Sequence, residues 1–329
     1  MPDAPPPTGA LPDVAATIGS FDGVHLGHRA LLDVVARRAA EGTLSTAVIT
    51  FDPHPRRVLR PDAPLKLISP LDERLSLFAA VGVHLVLVWR FDERLRSLSP
   101  EQFLDELGRY VTLRHLVHGP GFALGRARAG TPEALAALGQ QRGFTVEEVP
   151  LRHLEGSAPV TSTRVREAIE AGEVAAATEA LGRGPTLTGV VVEGEKVGRT
   201  LGFPTANLRL DSDVVVPADG VYAAWAELHP FTPHAETHPA AVSIGERPTF
   251  HGRRRVVEAS LLDFDGDLYG QTLRLHFVTR LRGQERFTSA DALINQMHRD
   301  VEEASAALVS LPPPAGGAPP PPKSSPAPR

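Results

Sequence analysis

Thr17-Ile18-Gly19-Ser20-Phe21-Asp22-Gly23-Val24-His25-Leu26-Gly27-His28 is the stretch that decides how the first half of this chain folds. The apolar run from Val14 to Gly19 reads as a buried strand, a glycine-bearing turn follows, and a helix begins near Gly27. His25 and His28 stand three apart at that helix entrance and share one side of it. Backbone N–H groups and the positive dipole end converge there, which makes an anion site. Gly19 and Gly23 let a ligand approach the main chain closely. Two imidazoles at such a place suit a reaction in which charge builds on a phosphate. A pair of exposed or capping histidines is the plain alternative, and the strand–turn–helix context weighs against it.

Outward from this stretch, β-rich runs alternate with helical patterns. Val14–Gly19, Ser45–Phe51, His84–Trp89, His115–His118 and Thr145–Val149 read as strands. His28–Ala40, Pro70–Val81, Ser99–Gly108, Pro132–Arg142, Thr161–Ala171 and Val174–Leu181 read as helices. The rhythm implies βαβ units and a parallel sheet covered on both faces, with ligands at the carboxyl ends of its strands. At Leu181-Gly182-Arg183-Gly184-Pro185 the character changes. Thr186–Glu193, Val221–Leu228, Ala240–Ile244, Val256–Leu262 and Leu273–Phe277 follow as short runs between turn residues. They indicate a small antiparallel barrel, closed by an amphipathic helix from Ser289 to about Leu308. The expected organisation is a flexible 1–12, an α/β domain over 13–183, a barrel domain over 184–311, and a disordered Pro-rich tail over 312–329.

The barrel half carries a second constellation, Gly194-Glu195-Lys196-Val197-Gly198-Arg199-Thr200-Leu201-Gly202-Phe203-Pro204-Thr205-Ala206-Asn207. Its glycines suggest a flap whose N–H groups cover phosphates, with Lys196 and Arg199 adding charge. A hairpin with solvated basic side chains is the plainer reading. Thr205 and Asn207 are two apart and point the same way on an extended segment. Their hydroxyl and amide oxygens are hard donors suited to Mg²⁺. Asp263, Asp265 and Asp267 do not make an EF-hand, which needs Gly at the sixth loop position and Glu at the twelfth, where Leu268 and Arg274 stand. They read as a turn between strands.

Composition narrows the function further. The net charge of −5 argues against a general affinity for nucleic acid. No cysteine is present, so disulfides, thiolate metal sites and cysteine nucleophiles are excluded. Positive charge is nearly all arginine, Lys66, Lys196 and Lys323 being the only lysines. Met1–Pro12 lacks the pattern of a signal peptide, and Val81–Trp89, interrupted by Gly82 and His84, is too short to span a bilayer. A cytoplasmic protein without membrane partners is the expectation. There is no Walker A string, and Gly119-x-Gly121-x-x-x-Gly125 is one residue too long for the dinucleotide fingerprint.

Residues 17–28 resemble the HxGH motif of the nucleotidyltransferases, in the form found in the FAD synthetase branch. Thr50-Phe51-Asp52-Pro53-His54-Pro55, His118-Gly119-Pro120-Gly121-Phe122-Ala123-Leu124-Gly125 and Thr161-Ser162-Thr163-Arg164-Val165-Arg166 are similar to that branch in the same order. Gly121 departs from it, standing where the branch usually has Asp or Asn. His54, between two prolines, reads equally as a ligand contact and as a rigid loop imidazole. In the second half, Pro204-Thr205-Ala206-Asn207, Asp219-Gly220-Val221-Tyr222-Ala223, Ile244–Phe250, Val257-Glu258-Ala259 and Leu261–Gly270 resemble the riboflavin kinases. Leu281–Phe287 resembles the segment where that family contacts flavin.

The chain is thus identified by resemblance, over roughly 14–308, with the bifunctional riboflavin kinase/FAD synthetases. The resemblance implies a Rossmann-like nucleotidyltransferase sheet followed by the kinase barrel. It implies phosphorylation of riboflavin to FMN and adenylylation of FMN to FAD, with ATP as co-substrate, Mg²⁺ as cofactor, and FMN and FAD as product ligands. His25 and His28 would stabilise the adenylyl transfer. Gly19, Phe21, Asp22, Gly23, His25, His28, Ser162, Thr163 and Arg166 would bind ATP in the first half. In the second, Gly194, Lys196, Gly198, Arg199, Gly202 and Thr205 would bind ATP, Thr205 and Asn207 would bind the metal, and Glu258 would be the general base. Two alternatives stand beside this reading. One is an active kinase whose adenylyltransferase half has decayed, with Gly121 as its mark; the other is a flavin-sensing regulator without turnover.

Overall fold

The structure is a computed structural model that describes residues 9–63, 65–154, 158–194, 203–211, 213–249, 252–309, 311, 313 and 314. Most of the expected flexible N-terminus and Pro-rich tail, and residues 195–202 of the expected flap, lie outside the described residues. The chain divides into two compact units. One comprises the chain before Lys66 together with Leu71–Val160; the other comprises Lys66–Pro70 and the chain from Thr161 through the last helix.

The first unit is built on five parallel strands: β1 (Asp13–Ile18), β2 (Ser45–Phe51), β3 (Leu85–Trp89), β4 (Thr112–His118) and β5 (Thr145–Glu148). Their order is β3-β2-β1-β4-β5, so the chain builds outward from β1 to β3 and then crosses back to place β4 and β5 on the other side of β1. The gap between the carboxyl ends of β1 and β4 is the topological switch point at which such sheets bind ligands. Side-chain alternation explains the two covered faces. Val14, Ala16 and Ile18 join Phe103, Leu104 and Leu107 of α5 (Pro100–Leu107) in one core. Ala15 faces the other way, onto Val35 and Ala39 of α1 (Leu26–Gly42). On that same side Val48 meets Phe78 of α3 (Leu71–Ala80).

Two short helices, α2 (Pro55–Leu59) and α4 (Glu93–Ser97), fall between the elements expected from the sequence. Each is only five residues long and rests on a cap. The His54 ring accepts a hydrogen bond from Arg56 N at 3.1 Å, and Asp92 Oδ1 one from Leu95 N at 2.9 Å. The expected α6 (Pro132–Arg142) carries Thr131 as its N-cap and Pro132 in its first turn.

The second unit opens with α7 (Ser162–Ala171) and α8 (Val174–Leu181), and its strands form a closed barrel in the order β10-β7-β6-β11-β8-β9. These are β6 (Thr186–Val192), β7 (Ala206–Leu210), β8 (Gly220–Leu228), β9 (Glu236–Thr249), β10 (Gly252–Leu261) and β11 (Thr272–Arg282). The change of character at Leu181–Pro185 therefore marks the start of the barrel strands. Val174 of α8 is nevertheless part of the barrel's core cluster, together with Leu187, Tyr222 and Phe277. Helix α9 (Ala290–Val309) packs outside, where Ala304 and Leu308 lie against Ala223. Lys66–Pro70 runs beside Val214: Leu67 N donates to Asp213 O at 2.6 Å, and Val215 N to Leu67 O at 2.9 Å. Asp263–Asp267 forms a turn with Asp263 at φ 54°, in line with the reading of that acidic run.

Candidate functional site

In the first unit the loop after β1 carries the paired histidines. Phe21, Gly23 and Val24 have φ of 51°, 85° and 40°. The left-handed region is costly for Phe and for β-branched Val. Packing outweighs that cost, because Phe21 and Val24 are buried among Leu32, Val48, Leu75 and Phe78. The turn so fixed delivers His25 to the N-cap of α1, where its Nδ1 accepts from His28 N at 3.3 Å. The two rings stack with centroids 3.7 Å apart and planes 17° apart. Phe21 meets the His28 ring edge-on at 5.1 Å. Gly27 is required here: a Cβ would stand 3.1 Å from the His25 ring and 3.2 Å from Val160 O.

His28 Nδ1 is buried and has no hydrogen-bond partner. Burial, and then the charge of His25, hold the His28 pKa well below its ordinary value. His28 is therefore neutral at neutral pH, and a nearby polyanion favours its protonation.

Arg74 is a part of this site that sequence reasoning missed. It is 1% exposed. Its Nη1 donates to Ser20 O at 2.8 Å and to Thr50 Oγ1 at 2.9 Å, and its Nη2 to Phe51 O at 3.2 Å. Asp52 Oδ1 lies 3.8 Å away. One buried guanidinium thus joins the loop after β1 to the Thr50–Pro55 motif after β2. The signal was present: Leu71, Arg74, Leu75 and Phe78 share one helical stripe, so a charge stands on an apolar face.

At the end of β4, buried His118 stacks on Phe122 at 5.3 Å, with its Nδ1 2.9 Å from Gly119 O. Gly121 has φ 68°, and nothing lies within 4 Å of where a Cβ would point. Asn and Asp are the other residues that enter this conformation readily, so Gly121 keeps the loop's backbone and omits only a side chain projecting into open space.

Ser162, Thr163 and Arg166 belong to the second unit, and the structure groups the remaining first-half candidates, Gly19, Phe21, Asp22, Gly23, His25 and His28, in the first. The cap of α7 is Thr161, whose Oγ1 accepts from Arg164 N at 3.3 Å. Ser162 and Thr163 follow it in the first turn of the helix. Arg166 Nε donates to Lys66 O at 2.8 Å.

The barrel site is built by register. Asn207 on β7 pairs directly with Glu258 on β10 and with Val192 on β6. Thr205 stands just before β7 and lines two cavities. One, of about 460 Å³, is bordered by Phe203, Thr205, Glu258, Arg282, Phe287 and Met297. The other, of about 600 Å³, is bordered by Gly194, Thr205, Asn207, Asp265, Leu268 and Tyr269. Gly194 leaves room for the Asn207 amide, since a Cβ there would lie 2.3 Å from Asn207 Nδ2. Lys196, Gly198, Arg199 and Gly202 fall outside the described residues. Among the described residues no group of three or more His, Cys, Asp or Glu is placed to hold a metal. None of their helices is long and apolar enough to cross a membrane.

A family model described as FAD synthetase matches residues 9–164, and one described as riboflavin kinase matches residues 181–308. The bifunctional riboflavin kinase/FMN adenylyltransferase of Bacillus subtilis (strain 168) is 35% identical over 292 residues, 87% of this chain and 90% of that one. The protein so named from Pseudomonas fluorescens is 38% identical over 294 residues, 88% and 92% of the two chains. A solved structure described as a macrolide-efflux protein from Streptococcus pneumoniae matches with a TM-score of 0.80 at 31% identity, over 90% of this chain and 95% of that chain. With two family models in sequence and relatives matched over most of their length, this chain belongs to the bifunctional riboflavin kinase/FMN adenylyltransferase family.

Proposed function

We propose that the chain makes FMN from riboflavin in the barrel and FAD from FMN at the carboxyl edge of the parallel sheet, consuming one ATP in each reaction. The observation that carries the kinase assignment is the meeting of two cavities at Thr205, beside the directly paired Asn207 and Glu258. A phosphoryl donor on the Gly194 side and an alcohol on the Glu258 side would face each other there. Glu258 takes the proton of the riboflavin 5′-hydroxyl as its oxygen attacks the γ-phosphorus, and ADP leaves. Thr205 and Asn207 offer neutral hard oxygens suited to a Mg²⁺ that brings its other ligands as phosphate oxygens and water. Such an ion would supply charge neutralisation at the transferred phosphoryl group.

In the first unit an FMN phosphate oxygen attacks the α-phosphorus of ATP, and pyrophosphate leaves. His25 and His28, at the N-terminus of α1, stabilise the charge that builds on that phosphorus. Gly19, Phe21, Asp22 and Gly23 shape the loop, and by the family resemblance Ser162, Thr163 and Arg166 are assigned to ATP through their hydroxyls and guanidinium. Residues 13–183 are assigned to adenylyl transfer and 184–311 to the kinase, between a flexible 1–12 and a disordered 312–329. The open surroundings and left-handed φ of Gly121 support an active first half over a decayed one. Riboflavin, FMN and ATP are the partners of this reading, and the cytoplasm, where ATP is supplied, is its location.

Chromatography of products from riboflavin and Mg·ATP tests the whole reading, which fails if neither FMN nor FAD forms. His28→Ala is expected to abolish FAD while sparing FMN. Glu258→Ala is expected to abolish FMN while leaving FAD synthesis from supplied FMN intact.

A further inference from the structure

The cavity of about 460 Å³ has a wall made from two separate pieces of chain. One is the exit of β11, with Arg282, Gln284, Glu285, Arg286 and Phe287; the other is the face of α9 bearing Leu293, Met297, Asp300 and Val301. A helix docked on a barrel's outer face is placed by its side chains. The C-terminal half of α9 is fixed by Ala304 and Leu308 against Ala223. At the cavity end Arg282 grips Asp300 with both arms: Nε to Oδ1 at 2.7 Å and Nη2 to Oδ2 at 2.6 Å. Gln296 Nε2, one turn back on α9, holds the same Oδ1 at 2.9 Å. The side chains of Arg282 and Asp300 are only 16% and 8% exposed.

The β11 exit is fastened on its other side. Gln284 Nε2 donates to Ile244 O at 2.8 Å and to Ser243 Oγ at 3.1 Å, both on β9. The Arg282 guanidinium also lies 5.9 Å from the centroid of the Phe287 ring. Hydrogen bonding to Asp300 raises the Arg282 pKa against the lowering effect of burial. The fork-to-fork geometry fixes orientation as well as distance.

We propose that Arg282 and Asp300 act as a positioning clamp for riboflavin, joining the β11 exit to α9 so that Phe287, Leu293 and Met297 form one wall for the flat flavin ring. The pair is distinct from Glu258 and touches no reacting atom. The inference rests on the assignment of this cavity to riboflavin. The competing explanation is a buried ion pair that merely fills space. Replacing both partners of such a pair with apolar residues is often neutral, whereas removing one is damaging.

That contrast supplies the test. In the full chain, Asp300→Asn and the double variant Arg282→Met/Asp300→Leu are compared with wild type. Riboflavin affinity is read from quenching of flavin fluorescence, and KM is measured separately for riboflavin and ATP. FAD formation from supplied FMN serves as the control activity of the same chain. Asp300→Asn is expected to weaken riboflavin binding and raise its KM by about tenfold or more, with the KM for ATP held within about twofold. The double variant is expected to keep its circular dichroism and thermal unfolding while remaining as weak for riboflavin as the single variant. A double variant that binds riboflavin like wild type overturns the clamp, as does an equal rise in both KM values. A double variant that does not fold overturns it too, because the pair is then a stability element. A wild-type chain that binds no riboflavin sinks the cavity's assignment instead, leaving the two failures distinguishable.

Discussion

His28 is held neutral by its surroundings, and this has a sign that stability measurements can read. Its folded pKa lies well below the ordinary 6.5, from burial first and His25 second. Between those two values the unfolded chain binds a proton that the folded chain refuses. Stability therefore rises with pH across that window and is lost as pH falls through it. Thermal unfolding from pH 5 to pH 8 is expected to show the first unit losing stability below about pH 6.5. His28→Gln, which has no proton to gain, should flatten that slope; an unchanged slope would place its origin elsewhere. Arg74 shows how a residue escapes a sequence reading. Besides Thr50 Oγ1, its partners are the backbone carbonyls of Ser20 and Phe51, which are distant from it in sequence, and a motif search along the chain has no view of contacts made by main-chain atoms.

At the scale of elements, the sheet strands were legible because β1, β2 and β3 are apolar runs ended by glycine, proline or charge. The short α2 and α4 were not, since five residues carry too little periodicity and each depends on one cap. Strand β7 escaped for a different reason. Ala206–Leu210 is five residues long and includes Asn207 and Arg209, so its apolar alternation is weak, and only pairing with β6 and β10 makes it a strand. That pairing is also what aligns Asn207 with Glu258, two residues 51 positions apart in the sequence. Beyond the end of β6, Gly194 leaves room for the Asn207 side chain because it has none of its own. Gly194→Ala is expected to displace the Asn207 amide and lower riboflavin phosphorylation on the order of 100-fold, with FAD formation from supplied FMN unchanged. Product chromatography distinguishes this from general misfolding, which would lower both.

At the scale of the whole molecule, sequence character and compactness divide the chain at different places. The strands of the barrel begin at Thr186, yet α7 and α8 belong to the barrel's unit. Val174 and Leu181 are 4% and 0% exposed, and Val174 sits in the barrel's own core. Periodicity marks where one kind of element gives way to another; it does not report which core a helix joins. A fragment spanning 184–311 should therefore be less stable than one spanning 161–311. Losing the burial of one core valine alone costs about 1.5–3 kcal/mol. Urea unfolding of the two fragments measures the difference, and equal midpoints would mean that α7 and α8 add nothing to the barrel.

The five residues Lys66–Pro70 give the chain a property that neither unit has alone. They leave the first unit, lie beside Val214 with backbone hydrogen bonds on both sides of Leu67, and return at Leu71. Over the described residues the polypeptide thus passes between its two units three times, like a stitch drawn through cloth and back. A gene cut once between Val160 and Thr161 would not yield two self-sufficient enzymes, because the later piece would lack one of its own threads. Separating the two activities cleanly requires grafting that thread as well as making the cut.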